Sequence, residues 1–87
     1  MNLGITGQAK EDIAYWSKQD KNIAQRIFRL IESALATPFS GLGKPDPLRH
    51  SLQGYWSRRI SSEHRLVYKI AGDTLLIVSC RFHYAKY

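Results

Sequence analysis

The chain has 87 residues, of which 44% are hydrophobic and 23% charged, a composition typical of one globular domain (1–87) and not of a disordered segment. Lys and Arg number 13 against 7 Asp and Glu, and the net charge of +6 predicts a polyanionic partner: nucleic acid, an anionic membrane or an acidic protein. The single cysteine, Cys80, excludes an internal disulfide, and no apolar run approaches the roughly 20 residues of a membrane span. We therefore expect a soluble, cytoplasmic protein.

The first half of the chain is predicted to form two helices. Thr6 is a candidate N-cap for the first helix, whose apolar stripe comprises Ala9, Ile13 and Trp16. Asp20 is a candidate N-cap for the second helix, which is expected to end before Thr37-Pro38. Its apolar face comprises Ile23, Ile27, Leu30, Ile31, Ala34 and Leu35. Both stripes predict packing against a core.

The second half of the chain is predicted to form a loop and then a sheet. The loop runs from Phe39 to Pro47, because residues 40–47 include two glycines and two prolines. The predicted strands are Tyr55 to Ser61, His64 to Ala71 and Leu75 to Tyr84, with a hairpin turn at Gly72-Asp73. This order predicts an α+β fold, in which two N-terminal helices pack on one face of a mainly antiparallel β-sheet.

The positive charge is concentrated in the predicted strands, since residues 44–87 carry eight basic and three acidic side chains. The apolar side chains of the strands must meet the helices, so alternation predicts that Arg59 and Arg65 project from the opposite, uncovered face. His83 joins them only if the turn at Gly72-Asp73 has an odd number of residues or the last strand carries a bulge. The sequence does not determine that register.

Basic and aromatic residues are expected to converge on this face and its rim: Lys44, Arg49, His50, Tyr55, Arg58, Arg59, Arg65, Lys69, Arg81, His83 and Tyr84. Such a surface suits RNA, because phosphates bind cations and unstacked bases bind aromatic or guanidinium planes; the alternative is a solvated charged face. Together with His83, the carboxylates Asp46 and Glu63 supply the residue types of metal-free RNA cleavage. That reaction requires a base, an acid and cations for the charged phosphorane.

Metal and nucleophile chemistry are not supported by the sequence. No local ligand spacing connects the candidate ligands, which are His50, His64, Cys80 and His83, so no metal or cofactor is expected. Cys80 lies within an apolar strand, where a buried thiol is inert.

Several motifs give the chain a family resemblance. They are Leu52-Gln-Gly-Tyr-Trp-Ser-Arg-Arg-Ile, Glu63-His-Arg-Leu-Val-Tyr, Cys80-Arg-Phe-His-Tyr and the loop Gly41-Leu-Gly-Lys-Pro-Asp-Pro-Leu-Arg-His. With them the chain resembles the YoeB toxins of bacterial toxin–antitoxin modules, within the RelE-like group of ribosome-dependent mRNA interferases. The resemblance covers almost the whole chain. It implies a RelE-like fold and metal-independent cleavage of mRNA in the ribosomal A site through attack by the ribose 2′-hydroxyl.

The resemblance also implies roles for individual residues. The catalytic set is Asp46 as general base, where the family has glutamate, Arg65 at the transition state and His83 as general acid. The RNA-binding set is Lys44, Arg49, Arg59 and Tyr84, of which Arg49 stands where the family typically has lysine. From the residues themselves, Glu63, close to Arg65 in the chain, is the alternative base. The chain continues past the usual terminal tyrosine with residues 85–87.

The partners implied by the resemblance are the 70S ribosome, mRNA and an acidic YefM-like antitoxin, with no role for a membrane. The toxin is expected as a homodimer, or as a heterotrimer or larger complex with antitoxin, through which it contacts operator DNA. A basic module that binds the ribosome or RNA without cleaving it remains the alternative. A DNA-binding regulator acting alone is disfavoured, because no helix-turn-helix is recognisable and the predicted helices are not the basic half.

Overall fold

The computed structural model describes residues 1–82. Its elements in chain order are β1 (Asn2–Ile5), α1 (Gly7–Gln19), α2 (Lys21–Ala36), β2 (Asp46–Pro47), a 3₁₀ turn (His50–Leu52), β3 (Tyr55–Arg59), β4 (Arg65–Ala71) and β5 (Thr74–Ser79). The strands form one sheet in the order β1-β5-β4-β3-β2. β1 is parallel to β5, and the other described pairings are antiparallel.

Both helices begin at their predicted N-caps. The hydroxyl of Thr6 accepts a hydrogen bond from the N–H of Ala9, and the Asp20 carboxylate accepts two from the first turn of α2. α2 ends at Ala36, directly before Thr37-Pro38. Thr6 also donates to the carbonyl oxygen of Val78 at 2.8 Å, which fastens the start of α1 to β5.

The core lies between the helices and one face of the sheet. It contains Ala9, Trp16, Ala24, Ile27, Leu30, Ile31, Ala34, Ile60, Leu66, Tyr68, Leu75, Ile77 and Cys80. The alternation predicted for β4 is confirmed, because Leu66 and Tyr68 are both fully buried in this core. The two-helix, α+β architecture is likewise confirmed.

Two strands were not predicted. β1 has only four residues, too few for a distinct strand pattern, and its pairing partner β5 lies at the far end of the chain. Asp46–Pro47, within the predicted loop, forms a two-residue strand opposite Trp56 and Ser57. Prolines are tolerated there because β2 is at the edge of the described sheet.

β5 contains a bulge. A bulge here, or an odd-residue turn, was the condition under which His83 would share a face with Arg59 and Arg65. The turn at Gly72-Asp73 has an even length, since Ala71 pairs with Thr74. Further along, Ile77 pairs with Tyr68 but Ser79 pairs with Val67, so one extra residue is inserted. The bulge therefore reverses which residues of β5 share a face with Arg65. His83 itself lies outside the described residues.

β5 ends at Ser79, whereas the sequence predicted a strand reaching Tyr84, which lies outside the described residues. The reason is that side chains of α1 bond the backbone of Cys80. The Asp12 carboxylate accepts its N–H at 3.0 Å, and the indole N–H of Trp16 donates to its carbonyl oxygen at 2.8 Å. These bonds occupy the groups that would extend the strand.

Asp12→Ala should lower the free energy of unfolding by about 1–3 kcal/mol, because it leaves the buried N–H of Cys80 without an acceptor. Glu11→Ala is the matched control, since Glu11 is the exposed neighbouring carboxylate on the same helix. Urea denaturation of both variants measures the difference. Equal stability of the two variants would show that the Asp12 bond does not hold this segment.

Candidate functional site

The face of the sheet away from the helices carries the predicted arginines. In the β3–β4 register Arg59 is directly opposite Arg65, and Ser57 is opposite Val67. Directly opposite residues of an antiparallel pair project to the same face. Arg59 is exposed and Arg65 half-buried, as expected for the edge of a binding surface.

The centre of this face is less open than expected. Ser57 is 4% exposed, Val67 1% and Ser79 fully buried. These side chains form the middle row of the face, because Ser57 pairs with Val67 and Val67 with Ser79. The expectation of an uncovered face therefore holds at Arg59 and not at this row.

Asp46 extends the middle row at the sheet edge. It pairs with Ser57 in the β2–β3 ladder, which puts its exposed carboxylate on the arginine face. Asp46 and Arg65 are two strands and two residues apart, about 12 Å between their Cα atoms from standard sheet spacing. Arg59 lies between them on the same face. The sheet thus brings a carboxylate and two guanidinium groups together.

The Arg65 guanidinium is oriented by the turn between β3 and β4. Its Nη1 donates to the carbonyl oxygens of Ser61 at 2.6 Å and His64 at 3.0 Å. Within residues 1–82 its Nε and Nη2 have no hydrogen-bond acceptor. The turn therefore fixes the Nη1 side of the guanidinium, and as far as residues 1–82 are concerned its other two nitrogens can donate to an anion.

The end of the described chain lies beside Arg65. The Arg65 N–H donates to the carbonyl oxygen of Phe82 at 3.1 Å, and the Phe82 N–H donates to Nδ1 of His64 at 2.8 Å. The His64 ring also packs edge-on against Trp16, with centroids 4.8 Å apart. His64 therefore has a structural role here, since it holds the end of the described chain and packs against α1.

The other predicted site residues lie around this centre. Lys44 and Arg49 are both exposed and flank β2, so they lie on either side of Asp46 along the chain. Glu63 is exposed in the turn that precedes Arg65. Both carboxylates considered as the base are therefore near the arginine face. His83 and Tyr84 lie outside the described residues.

Two members of the predicted cluster lie elsewhere. Arg58 is fully buried on the helix side of β3, because it pairs with Leu66 and shares the face of Trp56. Arg81 stacks over the ring of Tyr15 in α1, with its guanidinium carbon 3.6 Å from the ring centroid. The prediction that these residues join the exposed cluster was wrong.

The residues that hold the segment 80–82 were not predicted from the sequence. Asp12, Trp16 and His64 bond its backbone. A signal for Asp12 exists, because it lies at i+3 from Ala9 and i−4 from Trp16, on the buried stripe of α1. An acidic residue at such a position requires a buried donor.

Cys80 is buried, as predicted, and burial raises the pKa of its thiol to about 12, with a further contribution from the Asp12 charge. The thiol is thus protonated at neutral pH, which makes it a poor nucleophile. Within residues 1–82 no group of three His, Cys, Asp or Glu side chains is arranged to hold a metal ion. No helix in the same part of the chain is long and apolar enough to span a membrane.

Comparisons with known proteins place the chain among toxins. A family model described as "YoeB-like toxin of bacterial type II toxin-antitoxin system" matches residues 5–84. Toxin YoeB of Escherichia coli (strain K12) is 50% identical over 84 residues, which cover 97% of this chain and 100% of that protein.

Solved structures agree with this result. The YoeB/ParE toxin from Agrobacterium tumefaciens superposes with a TM-score of 0.93 at 45% identity, covering 97% of this chain and 100% of that chain. The heterotetrameric YoeB-YefM toxin-antitoxin complex from Staphylococcus aureus has a matching chain with a TM-score of 0.86 and 40% identity, covering 97% and 98%. The YoeB dimer of that species matches with a TM-score of 0.88 at 40% identity and the same coverage.

Proposed function

This chain belongs to the family of YoeB-like toxins of bacterial type II toxin–antitoxin systems, and we propose that it is a ribosome-dependent mRNA endoribonuclease. It cleaves mRNA in the ribosomal A site in the cytoplasm and thereby inhibits translation. The observation that carries the proposal is the shared face of Asp46, Arg59 and Arg65 on neighbouring strands. A surface that only binds RNA requires the arginines but not the carboxylate.

The proposed reaction is an attack by the ribose 2′-hydroxyl on the adjacent phosphorus. Asp46 accepts the proton of the hydroxyl, the new P–O bond forms, and the bond to the 5′-oxygen breaks. His83 protonates the departing oxygen, so the products are a 2′,3′-cyclic phosphate and a 5′-hydroxyl. Neither a metal ion nor a cofactor takes part in this scheme.

Arg65 is suited to the transition state because its orientation is set before substrate binds. Its Nη1 is already bonded to the turn carbonyls, while Nε and Nη2, which have no acceptor within residues 1–82, are assigned to the oxygens of the phosphorane. A preoriented cation stabilises developing charge without reorganising during the reaction. Arg59, Lys44 and Arg49 bind neighbouring phosphates, and Tyr84 positions the substrate.

The proposed protein partner is an acidic antitoxin similar to YefM. The Staphylococcus aureus relative is solved as a YoeB-YefM heterotetramer and as a YoeB dimer, which supports both antitoxin binding and self-association for this chain. A net charge of +6 provides the electrostatic attraction for an acidic, disordered antitoxin segment that folds on the basic face. Contact with operator DNA is made through the antitoxin.

His83→Ala should lower the cleavage rate by about 10²–10⁴-fold, the usual contribution of a general acid. Ribosome binding should change little, because the imidazole is required for proton transfer. Primer extension on translated mRNA measures cleavage, and co-sedimentation with 70S ribosomes is the control. Cleavage at the wild-type rate would overturn the acid assignment. If the wild-type protein binds ribosomes without cleaving mRNA, the non-cleaving binding module is the correct function.

Arg65→Ala and Arg59→Ala form a matched pair, because the two residues are directly opposite on the same face. The Arg65 variant should lose more in single-turnover rate than in ribosome affinity, since its charge is needed most at the phosphorane. The Arg59 variant should mainly weaken affinity and reduce its salt dependence. Thermal unfolding checks that both variants are folded. Equal losses of rate and affinity in both would indicate undifferentiated phosphate contacts.

Asp46→Asn should impair cleavage severely, while Glu63→Gln should have a small effect, if Asp46 is the base. Asp46→Glu should bring no gain if the loop already compensates for the shorter side chain. Single-turnover rates of the three variants on programmed ribosomes make the comparison. A worse defect in Glu63→Gln would transfer the base role to Glu63. Near-normal cleavage by both Asp46→Asn and Glu63→Gln would rule out a carboxylate base in this protein.

A further inference from the structure

Arg58 is a fully buried cation whose side chain the proposed reaction does not use. It occupies β3 on the helix side, one residue before the exposed Arg59. A buried arginine is costly unless its donors are satisfied, and an apolar residue of similar volume is often at least as stabilising. Its presence therefore requires a specific explanation.

The Arg58 guanidinium donates hydrogen bonds to the segment that follows α2 and to two side chains that contact this segment. Nη2 donates to the carbonyl oxygens of Thr37 at 2.7 Å and Ser40 at 2.8 Å. Nη1 donates to the carbonyl oxygen of Leu42 at 2.9 Å and to the Ser33 hydroxyl at 2.8 Å. Together with the Nε bond to Tyr68, these contacts use the five donors that a guanidinium possesses.

These acceptors are neutral, and they lie where a positive charge is favoured. Thr37 caps the C-terminus of α2, the negative end of the helix dipole. Burial raises the pKa of the Tyr68 phenol, and the hydrogen bond and charge of Arg58 partly oppose that rise. The Tyr68 hydroxyl accepts from Arg58 and donates to the carbonyl oxygen of Pro38 at 2.7 Å, which extends the network by one more residue.

We call residues 37–43 the α2–β2 loop, and it is fixed along most of its length. The Ser33 hydroxyl accepts from the N–H of Leu42, and the carbonyl oxygen of Gly43 accepts from the N–H of Arg59 at 2.6 Å. Gly43 has a φ of +85°, and a Cβ there would come within 2.6 Å of the Leu30 side chain. The loop therefore packs directly on α2 and admits little displacement.

The fixed loop leads within three residues to Asp46. Beyond Gly43 the chain passes Lys44 and Pro45 and enters β2, where Asp46 pairs with Ser57. Offsets of about 1 Å between reacting groups can cost about 10²-fold in rate. A lysine in place of Arg58 offers three donors from one nitrogen and cannot span the carbonyls of Thr37, Ser40 and Leu42 in the same way.

We propose that Arg58 is a positioning residue for the reaction: it holds the α2–β2 loop so that the Asp46 carboxylate stands at a fixed distance from the arginine face. This inference rests on the proposed function, in which Asp46 acts on the RNA. Arg58 touches neither substrate nor the reacting atoms, and its effect on cleavage is exerted through Asp46.

The test uses Arg58→Lys, which keeps the charge, and Ser33→Ala, which removes one acceptor of the network. Ser17→Ala is the matched control, because Ser17 is an exposed helical serine whose hydroxyl donates to the carbonyl oxygen of Ile13 within α1. Arg58→Lys should lower the single-turnover cleavage rate by about 10-fold to 10²-fold, with ribosome affinity unchanged. Ser33→Ala should show a smaller loss in the same direction, and Ser17→Ala none. If Arg58→Lys does not fold, Ser33→Ala decides.

A double-mutant cycle separates positioning from general destabilisation. In the Asp46→Asn background, Arg58→Lys or Ser33→Ala should lower the remaining rate no further, because the group that they position is already inactive. Equal losses in both backgrounds would overturn the proposal, as would wild-type rates in folded Arg58→Lys.

Amide hydrogen exchange gives a readout that does not depend on cleavage. The N–H groups of Leu42 and Arg59 bond to Ser33 and Gly43, so their protection should fall in Arg58→Lys and persist in Ser17→Ala. Absence of cleavage by the wild-type protein would refute the proposed function and, with it, the catalytic role assigned to the loop. Unchanged protection in a folded Arg58→Lys variant would refute the positioning role itself.

Discussion

The guanidinium of Arg58 connects α2, the loop after it and the sheet into one unit. It is fully buried, and its donors reach a helix hydroxyl, three loop carbonyls and the phenol of Tyr68. Removing one partner of such a network leaves buried polar groups unsatisfied, which costs more than the loss of a single bond. The next residue, Arg59, points to the opposite face by strand alternation. In this dipeptide the first side chain is therefore part of the interior and the second is part of the exposed arginine face.

A second set of contacts shapes the other end of the site. Asp12 and Trp16 of α1 take the backbone groups of Cys80, so β5 stops at Ser79. The His64 ring then accepts a hydrogen bond from the N–H of Phe82, and the N–H of Arg65 donates to the carbonyl oxygen of Phe82. The helix layer therefore determines where the chain leaves the sheet, and Arg65 bonds the departing segment with its backbone. Arg65 thus contributes its side chain to the candidate site and its backbone N–H to holding the segment 80–82.

Local patterns predicted most of the fold. Both N-caps, the end of α2 and the β4 alternation follow from nearest neighbours in sequence, and all are confirmed. β1 and the end of β5 were not predicted, because each depends on groups distant in sequence: the β1–β5 pairing and the Asp12 bond. Arg58 shows a different error. Strand alternation already places Arg58 on the same face as Trp56, but because of its charge Arg58 was predicted to lie on the surface.

The candidate site was predictable where it depends on strand alternation and not where it depends on register. Arg59 and Arg65 were assigned to one face from the two-residue period alone, and the ladder confirms this. Asp46 reaches that face only because β2 forms and pairs with Ser57, a contact that the proline-rich sequence does not indicate. The bulge in β5 is equally invisible in the sequence, since it is a property of two paired strands. The roles assigned to His83 and Tyr84 remain predictions from the motif that carries them.

The geometry of the α2–β2 loop also explains why an aspartate is suited to position 46, although a glutamate there would reach further. Asp46 lies between two prolines, which restrict the backbone, and its neighbour Pro47 continues the β2–β3 ladder. An aspartate has one rotatable bond fewer than a glutamate, so less conformational entropy is lost when its carboxylate is held in one orientation. Because the backbone before it is already fixed through Arg58, the carboxylate position depends on the loop more than on side-chain torsions. The shorter side chain therefore has less reach but fewer accessible orientations, and the position of its carboxylate relative to the arginine face is determined mainly by the loop.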